Sequence, residues 1–210
     1  MKLLKDILCK MAILIVFFSP WLLSASAEHI DYCDSIPETY AGWSSNVTLP
    51  KFDPELGTLR GVDLSCEMNL SQEIMIENEN PKPANFTIML SGEMTVGLPS
   101  SESLSISFNR STTGNLSQYD GISDYSGSSG SKSITQIPTE AAIRSIADIN
   151  DFLAHASNES IVLPMVVDAS SQSMTSGRSN SGVFSIAGAK VCVSYTYDAN
   201  QEKVATNVDE

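Results

Sequence analysis

The chain lacks most of what catalytic and nucleic-acid-binding proteins rely on. Its 210 residues include two histidines and only 12 Lys or Arg against 25 Asp or Glu, a net charge of −13. That balance argues against nucleic acid and anionic lipid as partners, because both repel an acidic surface. With His29 and His155 alone, and with no GxSxG, HExxH or phosphate-cradling glycine loop, acyl transfer, zinc-dependent hydrolysis and nucleotide chemistry are without their usual parts. Asp and Glu are plentiful enough for a glycosidase pair, yet no two stand out, so a secreted hydrolase ranks third among the readings. No CxxC or Cys/His cluster is present, which sets aside a structural zinc site.

One long apolar run exists, from Met11 to Phe18, behind Lys2, Lys5 and Lys10 and ahead of Ala25-Ser26-Ala27. That order is a secretory signal with a small-residue cleavage site and predicts removal of residues 1–27. Ser19-Pro20 interrupts a run already short for a bilayer span, so the mature chain is expected to hold no transmembrane segment. Cys9 precedes the run, where a lipoprotein cysteine would have to follow it. Removal of the signal takes away three Lys and one Asp and moves the net charge from −13 to −15, which suits a secreted protein or one on the cell envelope surface. What is left is long enough for one domain with a sizeable core. Cys33, Cys66 and Cys192 remain, an odd set that permits at most one internal disulfide and leaves a thiol over. Which two pair is open at this stage.

Nearly a quarter of the mature chain is serine or threonine, and apolar residues recur with period two, the mark of half-buried strands. In GVDLSCEMNL, Val62, Leu64, Cys66, Met68 and Leu70 alternate with Asp63, Ser65, Glu67 and Asn69, which places Cys66 on an inward face, reduced and as ordinary there as Val. Phe86, Ile88 and Leu90 repeat the pattern, as do Leu104, Ile106 and Phe108, then Val191, Val193, Tyr195 and Tyr197. Pro164 in IVLPMVV points to an edge or a bulge, and Gly188 to a bulge or a close backbone approach. Apolar faces of this kind must find one another, so the expected fold is all-β: an antiparallel β-sandwich, jelly-roll-like or Greek-key, over residues 28–198. PTEAAIRSIADINDFL, residues 138–153, predicts one short helix, capped by Thr139 and packing Ile143, Ile146 and Leu153. DGISDYSGSSGSKS reads as a loop, and residues 199–210 as a disordered tail.

LPKFDPELGTL, residues 49–59, resembles the signature of the choice-of-anchor E domain, a family of exported prokaryotic surface proteins. Further pieces follow in the family's order: Ile36-Pro37 and Trp43 ahead of it, Glu77-Asn78, Asp120-Gly121, Asp124-Tyr125, Gly127, Ser129-Gly130, and Tyr195-Thr196-Tyr197. The resemblance spans about residues 34 to 198. It implies an exported surface domain with no established activity, carried on varied C-terminal anchors. The sequence departs from the family in the run LAHASNES after Phe152, where glycines are usual, and in having no apolar or basic anchor after Tyr197, from which release or retention by a partner is expected. Asp53 before Pro54 is read as a turn former rather than an acid or base.

Three sets of candidate site residues emerge. Asp120 and Asp124, with Ser123 and Ser126, offer the hard oxygens that calcium takes, though without EF-hand spacing; Ca²⁺ is the one cofactor entertained. Trp43, Tyr119 and Tyr125 are a candidate aromatic platform for a sugar. Asn46, Asn69, Asn85, Asn109, Asn115 and Asn158 meet the glycosylation rule, against about three expected by chance from this composition. The reading these support is a non-catalytic structural or adhesive domain of the envelope or extracellular matrix, partnered by a protein or glycan there. The alternative is a carbohydrate-binding module.

Overall fold

Period-two alternation becomes a buried face and a wet face on nearly every strand. The computed structural model describes residues 27–200. Among these, eight strands follow one another: β1 (Ala27–Tyr40), β2 (Trp43–Pro50), β3 (Gly57–Asn78), β4 (Ala84–Gly97), β5 (Ser103–Leu116), β6 (Gly130–Ser145), β7 (Ser160–Thr175) and β8 (Ser179–Ala199). They form two antiparallel four-stranded sheets, ordered β1-β8-β3-β6 and β2-β7-β4-β5. That interleaved order is an eight-stranded jelly roll, so the all-β sandwich read from the sequence is the fold observed.

β3 and β8 run side by side from Gly57 opposite Ala199 to Asn78 opposite Ser179, roughly 70 Å at the rise of a strand. β1 and β2 are shorter in reach. β1 ends with Tyr40 opposite Ile186, and β2 starts with Trp43 opposite Val167. The molecule therefore has a wide half, where β1 flanks β8 and β2 flanks β7, and a narrow half of three strands per sheet. Most of the core lies in the wide half, where Leu64, Met68, Met94, Leu163, Met165 and Val193 are all buried. The narrow half has its own small cluster, Ile74, Ile88 and Leu90, with Phe86 and Val183 beside it. Two glycines let aromatic rings lie flat on the inner face there. A Cβ on Gly92 would come 2.2 Å from the Phe108 ring opposite it, and one on Gly114 would come 2.6 Å from Phe86.

The motif LPKFDPELGTL is explained by packing. Phe52 stacks at a tilt against Tyr195 and Tyr197, with ring centroids 5.6 and 5.1 Å apart, and the Tyr195 hydroxyl donates to the Pro50 carbonyl at 2.8 Å. Asp53 Oδ1 accepts from the Glu55 amide, and the Leu56 amide donates to the Asp53 carbonyl, a local turn as the sequence implied. Gly57 permits a close approach, since a Cβ there would lie 2.1 Å from the Asp198 carbonyl oxygen. The stretch around Pro50 and the last strand, far apart in the chain, thus close one end of the sandwich together. Cys33 and Cys192, opposite each other in β1 and β8, form a disulfide. Cys66 is free and buried, and burial pushes its thiol up to about 11. Burial likewise raises the Tyr195 phenol.

The sandwich is also tied along two of its rims. On the β1/β2 rim, Asp34 accepts the Thr48 amide at 2.9 Å. On the β5/β6 rim, Arg110 pairs with Glu140 at 2.6 Å and Arg144 with Glu102 at 2.5 Å. At the narrow end, the buried Asn78 side chain donates to the Lys82 and Ser117 carbonyls while its oxygen accepts from Asn80.

Several expectations need correction. The predicted helix over 138–153 is absent: Thr139–Ser145 belongs to β6, with Glu140, Ala142 and Arg144 opposite Met68, Cys66 and Leu64. Helix-forming EAAIR is overridden by a ladder to β3, leaving Ile143 75% exposed, and among the described residues helicity is confined to a 3-10 turn at Asn150–Phe152. Pro164 lies on a central strand, but the β4 ladder stops at Met165, so at Pro164 the strand has a neighbour on one side only. Gly188 marks a close approach, 3.0 Å from its Cβ position to Glu38; the bulge lies across from it, between Ile36 and Thr39 on β1. Pairing reaches one residue before and two beyond 28–198: Ala27 pairs with Asp198, Ala199 with Gly57, and the Asn200 amide donates to the Leu56 carbonyl. Of the signal expected over residues 1–27 and the tail expected over 199–210, residues 1–26 and 201–210 lie outside the described residues, while Ala199 ends β8. No helix among the described residues is long and apolar enough to cross a membrane.

Candidate functional site

The residues singled out from sequence are scattered over the fold. Asp120 Oδ1 accepts the Ile122 amide, and Asp124 Oδ1 accepts from the Ser126 amide and hydroxyl, so each carboxylate shapes its own turn. Among the described residues, no three His, Cys, Asp or Glu side chains gather closely enough to hold a metal ion. Tyr125 adopts a left-handed backbone, φ 58°, held by a hydrogen bond from its amide to the buried Glu77 at 2.8 Å. Tyr119 and Tyr125 flank this loop at the narrow end. Trp43 begins β2 beside Ala187, whose carbonyl accepts its indole N–H at 3.2 Å, and packs against the main core. The stretch of β8 from that level back to Arg178 near the loop is about 30 Å of strand, so the three rings do not make one platform.

The six sequon asparagines are all exposed. Asn46, Asn85, Asn109 and Asn115 share the outer face of the β2-β7-β4-β5 sheet, with Asn85 and Asn115 directly opposite each other. Asn69 lies on the outer face of the other sheet, where it accepts from Thr139, and Asn158 sits in the loop before β7 with φ 63°.

That same outer face carries a feature no local pattern announced. Ser91 and Glu93 from β4, Ser107 and Asn109 from β5, and Asp168 and Ser170 from β7 line a shallow trough of about 790 Å³. A second hollow of about 260 Å³ continues it past Met89 and Gln172. Its floor is fixed by a hydrogen bond between the Ser91 and Ser170 hydroxyls at 2.8 Å. Glu93 and Asp168 stand opposite each other in register, a like-charge neighbour pair that disfavours the sheet unless donors from solvent or a ligand reach it. Hydroxyls, an amide and two carboxylates suit a polyhydroxylated or cationic ligand, and Gly92, Phe108 and Ala169 add apolar surface to the same lining. The polar contributors sit on the wet faces of alternating strands, and they come from three stretches far apart in sequence. Only the fold brings them together.

No family model matches the chain, and no curated protein does either. Over 84% of its length it aligns with a solved structure of infectious bursal disease virus Gx strain, at 9% identity and a TM-score of 0.18. A structure of the Gt strain of that virus aligns over the same share at 10% identity and a TM-score of 0.17. The chain spans 38% of the length of each of those chains. Similarity this slight carries no argument about fold or function.

Proposed function

We propose that this protein is a non-catalytic surface module of the cell envelope or extracellular matrix, with a structural or adhesive role. The observation that carries this reading is the trough over Ser91, Glu93, Asn109 and Asp168: its polar chemistry is spread across three strands of a rigid sheet and open to solvent, suited to contact rather than to enclosing a reacting group. Three further features support it. Positions 1–27 have the order of a secretory signal, the Cys33–Cys192 disulfide fits an oxidising compartment, and the pieces from Ile36 to Tyr197 resemble an exported surface family. A second reading, a carbohydrate-binding module, is favoured by the hydroxyl, amide and carboxylate lining of the same trough.

The test is a binding measurement on purified protein against intact and glycan-stripped envelope or matrix fractions, with the double variant Glu93→Ala, Asp168→Ala alongside. Retention on both fractions with loss in the variant supports protein-directed adhesion. Retention that disappears with the glycans moves the trough to the carbohydrate reading. Retention of neither protein on either fraction removes the contact function altogether.

A further inference from the structure

We propose that the chain pairs with a second copy of itself through the open strand edges of the narrow half, β7 against β7 and β8 against β8 about one two-fold axis. The inference goes beyond the contact function proposed above and does not need the trough.

The first ground is the state of the backbone. Among the described residues, no strand lies along the outer edge of β7 from Asp168 to Thr175 or along the outer edge of β8 from Ser179 to Ser185. The Gly42 amide donates to the Val167 carbonyl, and the Ala41 amide donates to the Ser185 carbonyl, so these two residues turn their peptide groups toward the edge. Strand alternation then points the peptide groups of Ala169, Ser171 and Ser173 outward on β7, and those of Ser181 and Val183 on β8. Two adjacent rows of unpaired N–H and C=O groups are a template for another strand.

The second ground is what these edges lack when set beside the others. The β1 edge carries a bulge at Pro37-Glu38, and the β6 edge carries another at Pro138-Thr139 together with Lys132 and Arg144. β5 bears Arg110 and the sequons at Asn109 and Asn115, and β2 bears Asn46 and Pro50. Such bulges, prolines, charges and glycans keep edges from pairing. From Asp168 to Ile186 there is no proline and no sequon, Asp168 and Arg178 are the two charged residues and cancel, and the register against β4 and β3 runs without a shift.

The third ground selects the occupant. Copies of a chain with net charge −13 repel over most of their surfaces, and this neutral, serine-rich stretch is where they approach without that opposition. The geometry suits a two-fold. Val183 lies opposite Ile74 and Ser171 opposite Leu90, and Ile74 and Leu90 belong to one cluster, so the centres of the two open edges are level and one axis normal to the sheets serves both. Because β1 stops at Ile186 and β2 at Val167, each copy presents a notch that the other's open edges fill, and the sheets continue from copy to copy. Tyr40, Phe184 and Met174, 69%, 45% and 45% exposed, rim that notch and would be covered, as an isologous interface requires.

Sedimentation of the disulfide-intact protein tests this. Wild type is expected to be a dimer. Ser171→Lys with Ser181→Lys sets like charges across the axis and is expected to weaken dimerisation roughly 100-fold, two decades of dissociation constant, with an unchanged circular dichroism spectrum. Thr58→Lys, exposed at the far end of β3, leaves the dimer intact. Hydrogen exchange supplies a second readout: the amides of Ala169, Ser171, Ser181 and Val183 are slow in wild type and fast in the double variant. A wild-type monomer up to about 1 mM, the level of the weakest specific complexes, overturns the proposal, as does a dimer indifferent to the two lysines. Protection of these amides only on adding envelope extract assigns the edges to another protein's strand and also overturns it. A dimer that binds no envelope fraction leaves this inference standing and removes the contact function instead.

Discussion

The wide and narrow halves share the same long central strands, β3, β8, β4 and β7, yet they are held together by different means. The wide half has the flanking strands β1 and β2, a thick apolar core, a disulfide and the aromatic contacts of Phe52 with Tyr195 and Tyr197. The narrow half has three strands per sheet and a smaller core built on Ile74, Ile88 and Leu90 with Ile76, Ala84 and Leu116 beyond them, and between its sheets lies a cavity of about 140 Å³ bounded by Gln72, Ile74, Leu90 and Thr135. Gln72 is buried there, with its amide donating to Ser185 at 3.2 Å and its Oε1 without a partner. Hydrophobic stabilisation follows the apolar area removed from water. A single pair of strands therefore crosses from a strongly packed region into a weakly packed one, and local opening belongs to the second.

The comparison can be broken most forcefully at the disulfide. Cys33→Ser with Cys192→Ser removes a crosslink spanning a sequence separation of 159, worth about 5 kcal/mol in the chain-entropy account, and denaturant unfolding should show a loss approaching that. Truncation of the core sharpens the contrast. Leu64→Ala in the wide half should cost about 4 kcal/mol and Ile74→Ala beside the cavity about 2 kcal/mol, both read from chemical denaturation, because a site with fewer neighbours loses fewer contacts. Equal losses would erase the distinction.

Alkaline pH tests the wide half alone. Cys66 and Tyr195 lie there, and both have folded-state pKa values raised by burial. The unfolded chain therefore gives up protons first as pH rises, so their contribution is complete below about pH 9 and is lost as pH climbs toward the folded values. Thermal midpoints should fall over that window, and Cys66→Val should flatten the fall. The smallest effect is a gain. Gln72→Met replaces an unsatisfied buried acceptor with an apolar chain of similar length, and should raise stability by about 1 kcal/mol, read as a shift in the denaturant midpoint.

Legibility from sequence followed the reach of the interactions. Val62 to Leu70 and Val191 to Tyr197 could be read as half-buried strands because alternation is written into adjacent residues, and those residues are buried as expected. The turn at Asp53 was readable for the same reason. Glu140 to Arg144 was not, since its local preference is helical while its fate is set by β3, with all of β4 and β5 intervening in the chain. The trough was invisible too: Ser91, Asn109 and Ser170 meet only after three strands align, and each alone is an ordinary polar residue on a wet face. The aromatic platform failed for the converse reason, because Trp43 is spent on the core and the Ala187 carbonyl.

The pairing of the first strand with the last has a mechanical consequence. Ala27 lies opposite Asp198 and Glu28 opposite Tyr197, so the two ends of the sandwich lie side by side, with Glu28 heading the chain once the expected signal is removed. Tension applied through them acts on β1 and β8 as on a zipper, opening one residue pair at a time. Six pairs in, at Cys33 and Cys192, the zipper meets a covalent stop. Beyond that point the load passes through the two sulfur atoms, and the sheets behind them carry none of it. A protein strung between a surface and something that tugs on it would stretch by a short, fixed length and then hold.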